Sequence, residues 1–206
     1  DGNKSGFNSW EVPYHRFNTM KTDLVAAFKE MGDTVREEST IFYVPYEMAT
    51  APNFGYLEGE PIGHTWKMGR TGEIFDKHNV ILIRLADIIL LRAEALNQIG
   101  QTGEAVTLLN QVRARVNLAP TTASSSSEVA LAILKERRLE LVVENNRFWD
   151  LKRYYNDDAK LTQHINGQTD SAGNSFGVQT TVGKVFIPIP QSELDVNPNL
   201  TQNPGY

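Results

Sequence analysis

Residues 79 to 116 constrain the fold more than any other stretch: NVILIRLADIILLRAEALNQIG is followed, after Gln101, by TGEAVTLLNQVRARV. The first segment places Leu85, Ile88, Ile89, Arg92, Ala93, Leu96 and Ile99 on one helical face, and Leu90 and Leu91 carry the apolar surface round its flank. A helix so apolar is expected to be covered on more than one side. Gly100 ends it, Thr102 stands as a cap for the next helix, and Ala105, Leu109 and Val112 form that helix's contact stripe. So short a connection folds the two into an antiparallel hairpin. Small residues at Ala93 and Ala105, flanked by larger apolar ones, follow the tetratricopeptide pattern, although no second copy aligns.

Around this hairpin the sequence predicts further helices. NTMKTDLVAAFKEMG reads as an amphipathic helix closed by Gly32, and STIFYVPY as a short strand. Ser125 and Glu128 have capping-box spacing at the head of a helix over 126 to 145. Its stripe holds Leu131, Leu134, Leu141 and Val142, with Arg138 near the centre. After the Asn145-Asn146 break, NRFWDLKRYY continues as a shorter helix. Residues 49 to 78 read as loop. Residues 164 to 190 read as a ragged β-hairpin, and the Pro- and Asn-rich tail as turns.

Chemistry is hard to find. With no cysteine, thiol catalysis and disulfides are excluded, and a formal net charge of −5 argues against nucleic acid or anionic lipid as a general partner. The histidines at 15, 64, 78 and 164 lack metal-ligand spacing, so no metal and no cofactor is expected. DSAGNS starts like a calcium loop but lacks its closing glutamate, and Glu58 with Glu60 reads as a solvated pair, so no catalytic residue is assigned. The densest charge lies in ERRLELVVENNRFWDLKRYY, with nine charges of both signs threaded by aliphatics, which we read as helix packing. Arg138, on an apolar stripe, then needs a carboxylate, with Glu94 the first candidate and Glu144 the second. Among the loop aromatics, Trp66, then Trp10 and Tyr14, are the candidates for stacking on a sugar face.

Taken in order, NVILIRLADIILLRAEALNQIG, EAVTLLNQVRAR, LKERRLELVVENNRFWDLKRY and FIPIPQSELDVNPNLTQNPGY resemble the SusD/RagB family of outer-membrane nutrient-binding lipoproteins. The resemblance runs from about residue 79 to the end. It implies a mainly α SusD-like fold of tetratricopeptide-like helix pairs, with long loops and a small β-hairpin. It also implies non-catalytic capture of a polysaccharide or oligosaccharide at the cell surface, for delivery to a SusC-like TonB-dependent transporter. The chain carries neither signal peptide nor lipidated cysteine, so residues 1 to 206 are expected to be the C-terminal part of one SusD-like domain. Membrane contact would then come only through an absent N-terminal lipid anchor. The competing reading is a tetratricopeptide-like adaptor that binds protein or peptide in a helical groove; a glycosidase ranks third.

Overall fold

The computed structural model describes residues 19–45, 56–65, 67, 81–170, 172–175, 177 and 179–206. The architecture is mainly helical. The described elements are α1 (Thr22–Met31), α2 (Thr34–Thr40), β1 (Ile41–Val44), β2 (Ile62–Thr65), α3 (Leu85–Gln98), α4 (Thr102–Arg115), α5 (Ser126–Glu140), α6 (Arg147–Tyr155), α7 (Asp158–Asn166) and α8 (Gln191–Val196).

Local chemistry sets these boundaries. Gly32, at φ 67°, turns the chain out of α1 while its N–H returns to Lys29 and that of Asp33 to Phe28. Asp33 then caps α2 by accepting from the Arg36 N–H. At α5 the Ser125 hydroxyl and the Glu128 carboxylate bond each other's backbone N–H, completing the expected capping box. Asp157 caps α7 through the N–H groups of Ala159 and Lys160.

The expected hairpin is α3 and α4, joined at Ile99–Gln101 with Gly100 at φ 83°. Asn97 locks this corner. Its Nδ2 donates to the Ser126 carbonyl at 2.8 Å, and its Oδ1 accepts from Thr102 at 3.0 Å, so one buried amide joins α3, α4 and the start of α5. Leu90, Ala93, Ala105, Leu109, Val112, Val129 and Ile133 close the core between these three helices. The buried face of α3 is Asp87, Leu90, Ala93 and Asn97, whereas Leu85, Ile88, Arg92 and Ile99 are exposed. The stripe read from sequence is thus rotated from the buried face and only partly right, since its Ala93 is buried and its Ile89 and Leu96 pack on the core; α3 is apolar nearly all round, so hydrophobicity alone did not fix its rotation.

α5 is the hub. Its Val129 and Ile133 join the hairpin core, Leu139 joins Met20, Val25, Phe28 and Ile41, and Leu134 joins Leu151, Leu161 and Val185. β1 pairs antiparallel with β2 in the register Ile41↔Thr65 to Val44↔Ile62. β2 lies inside the stretch read as loop, while the hairpin expected over 164 to 190 is, among the described residues, one antiparallel bridge between Thr169 and Ser175. Tyr56 pins the small sheet, donating to Met20 O at 2.8 Å and accepting from the Gly63 N–H at 3.1 Å. A Cβ at Gly63 would stand 3.0 Å from Ile41 Cγ2 and 3.1 Å from the Tyr56 hydroxyl, so glycine is needed there for space. The tail folds back on itself: Gln202 bonds both backbone groups of Ile189, and the Tyr206 hydroxyl donates to Phe186 O.

Candidate functional site

The charge-rich segment identified in the sequence forms a lattice across α5 and its neighbours. Glu136, Glu140 and Glu144 recur every fourth residue and so share one side of α5 and the turn after it. Glu136 faces Arg36 at 2.7 Å, without hydrogen-bond alignment, and accepts from Arg113 at 2.9 Å. Glu140 accepts from Arg36 at 3.0 Å, and from Arg84 and Arg115 at 2.6 Å each. Glu144 takes Arg84 and Lys67. On another side of the helix Arg137, 2% exposed, reaches Asp87 and Asp150 at 2.8 Å each. Asp150 also accepts from Arg153. Burial opposes ionisation of Glu140, yet Arg84 and Arg115 outweigh it and hold the carboxyl down to about 2. A carboxylate so held stays charged at neutral pH and has no proton to give as a general acid. The lattice ties α2, α3, α4 and α6 to α5.

Arg138 departs from its expected role. It is a quarter exposed and pairs with Asp23 at 2.6 Å, while Glu94 is taken by Arg153 and Glu144 by Arg84 and Lys67. The buried arginine is its neighbour Arg137. A step of one residue rotates a helix position by about 100°, and α5 buries residues on more than one side, so the apolar stripe could not choose between the two. Trp66, Trp10 and Tyr14 lie outside the described residues. Of the rings within them, Trp149 on α6 is 58% exposed, packed edge-on to Phe148 at 5.2 Å between centroids. Among the described residues no group of three or more His, Asp or Glu side chains gathers to hold a metal, and no helix is long and apolar enough to cross a membrane.

Several clefts open among the described residues, and two of them carry polar linings away from the lattice carboxylates of α5. One, of about 420 Å³, lies between the start of α1, the turn after α5, the start of α6 and the end of α7; Lys21, Asp23, Arg138, Arg147, Asp150 and His164 are among its polar lining residues. The other, of about 410 Å³, sits against the small sheet and is lined by Lys29, Tyr43, Tyr56, Glu60 and Asp170. Tyr43 donates to Glu37 at 2.6 Å, and the Tyr56 hydroxyl is engaged within the fold. In the first cleft, burial and the neighbouring Arg138 push the Arg147 guanidinium down to about 10. Burial and the nearby Arg147 likewise depress His164, whose Nδ1 lies 3.0 Å from the Tyr155 hydroxyl. Sequence reasoning missed Arg147 because Glu144 and Asp150, three residues away on either side, look like its partners. Both are occupied by other cations.

The family model of the SusD family matches residues 37–206. The chain belongs to the SusD family. SusD-like protein P38 of Formosa agariphila is 37% identical over 140 residues, covering 64% of this chain and 25% of the relative. The starch-binding protein SusD of Bacteroides thetaiotaomicron is 28% identical over 149 residues, covering 72% of this chain and 24% of that protein. Among solved SusD superfamily structures, one from Bacteroides thetaiotaomicron superposes with a TM-score of 0.61 at 28% identity, over 90% of this chain and 40% of that one. One from Bacteroides vulgatus reaches 0.63 at 22% identity, over 90% and 44%. The matched part of the chain therefore spans about a quarter of these two curated relatives and about two fifths of the two solved chains, and the α3–α4 pair with its neighbours is the SusD-type helical scaffold.

Proposed function

We propose that this SusD-family chain takes part in non-catalytic capture of a polysaccharide or oligosaccharide at the outer-membrane surface, for transfer to a SusC-like TonB-dependent transporter. The observation that carries the reading is the family match across 37–206, which takes in α3 to α8 and the lattice carboxylates of α5. The starch-binding relative supports a saccharide as ligand. The lattice carboxylates contribute to the fold: Glu136, Glu140, Glu144 and Asp150 each bear at least two cations, and Asp87 bears Arg137.

Trp66 is the first proposed stacking ring, with Trp10 and Tyr14 behind it, because sugar faces pack on aromatic rings while their hydroxyls need polar neighbours. Isothermal titration against polysaccharides that a carbohydrate array selects, run beside a reducing-sugar assay, tests the proposal. Binding without product release is expected. Trp66→Ala should weaken binding about five- to thirtyfold, the effect of about 1 to 2 kcal/mol lost per ring. Unchanged affinity removes Trp66 from the site, and sustained product release overturns the binding reading.

A further inference from the structure

Arg147 opens α6 at the wall of the 420 Å³ cleft, and among the described residues no carboxylate pairs with it directly. Among the described residues its one hydrogen bond runs from Nη1 to the Leu134 carbonyl at 3.4 Å, and no carboxylate is within ion-pair distance. Asp150 and Glu144, the nearest candidates in sequence, are held by Arg137 and Arg153 and by Arg84 and Lys67. Lys21 lines the same cleft with its Nζ on Gln168, and of the cleft's other cations Arg138 is paired with Asp23 and Arg137 with Asp150. Asp23 spends Oδ2 on Arg138, which leaves a buried Oδ1 with no donor. Asn146, which also lines the cleft, places no side chain on the free N–H groups of the first turn of α6. The cleft thus offers a partly desolvated guanidinium and an ammonium to an oxyanion, with the Asn146 and Gln168 amides beside them for hydroxyls. That combination matches an acidic sugar, whose charged group sits on a ring of hydroxyls.

We propose that this cleft binds the carboxylate of a uronic acid or the sulfate ester of a sulfated sugar, with Arg147 as its main contact and Lys21 in support. The proposal rests on the saccharide-capture reading and narrows its ligand to anionic glycans. Burial strengthens the contact, because a guanidinium that has lost water gains more from an ionic partner than a solvated one does.

The test is titration of the protein with sodium galacturonate, inorganic sulfate and neutral methyl galactoside, repeated with Arg147→Met and Lys21→Gln. Saturable binding of galacturonate or of sulfate is expected, falling with added sodium chloride and absent for the neutral sugar. Arg147→Met should weaken it at least about tenfold and Lys21→Gln about threefold, in line with loss of one charge-assisted hydrogen bond and of one more distant charge. Galacturonate alone would assign a uronate, and sulfate alone a sulfate ester. Binding of neither anion overturns the proposal, as does anion binding that Arg147→Met leaves unchanged. If Arg147→Met does not fold, Lys21→Gln decides, and unchanged affinity there overturns it. Neutral glycans bound on an array without either anion would sink this assignment alone; no glycan bound at all would sink the capture reading with it.

Discussion

Arg137 and Arg138 are neighbours with opposite surroundings, and the difference is measurable. Arg137 lies between two buried carboxylates, so truncation leaves Asp87 and Asp150 with less compensation in a poorly solvated site. Arg137→Ala should cost about 3 to 5 kcal/mol of unfolding free energy. Arg138 and Asp23 are partly exposed, and Arg138→Ala should cost about 0 to 1 kcal/mol. Urea unfolding of both variants checks the contrast, and equal losses would refute it. Asn97 carries a comparable load without charge: Asn97→Ala would strip the Ser126 carbonyl and the Thr102 hydroxyl of their partner, for about 1 to 3 kcal/mol.

At the scale of elements, boundaries were far easier to read than rotations. Gly32, Gly100 and the Ser125–Glu128 box are local chemistry, and each stands where the sequence placed it, whereas α5 ends at Glu140 and residues 141 to 145, expected as helix, form a turn. The facing of α3 and α5 is set by what packs on them from distant parts of the chain, which an all-round apolar or mixed surface does not encode. β2 escaped notice for a similar reason: Ile-Gly-His-Thr is short, and its pairing depends on β1 across a long connection. The cleft at Arg147 was illegible because nearby acids looked like partners until the lattice claimed them. The lattice also gives α5 a pH signature. The Glu140 pKa is depressed to about 2 in the fold against about 4.3 unfolded, so its stabilisation is complete above the unfolded value and is lost as pH falls toward 2. Unfolding free energy measured at stepped pH should be level down to about pH 5 and then decline, and Glu140→Gln should flatten that decline.

At the scale of the whole molecule, the described residues leave aliphatic side chains exposed on α3 and the segment before it. Leu82, Ile83, Leu85, Ile88 and Ile99 are between 49% and 83% exposed, an uncommon amount of aliphatic surface near one hairpin. The protein should bind a hydrophobic dye in its folded state. Replacing Leu85 and Ile99 together with Gln should reduce that fluorescence while each change shifts stability by no more than about 0.5 kcal/mol, because neither side chain lies in the core. Fluorescence equal to that of a fully polar control protein would refute the prediction.

Glu140 also imposes a timetable on the chain as it is made. Its cations stand at positions 36, 84 and 115, and the first precedes it by 104 residues. At about 5 to 20 residues per second of translation, Arg36 emerges on the order of 5 to 20 s before the carboxylate that will bury it. Until then the first helices keep their guanidiniums hydrated, and the layer they will form has no centre. The ribosome therefore delivers the clasp after the parts it fastens, and the nascent chain must wait for α5 before its N-terminal half can close.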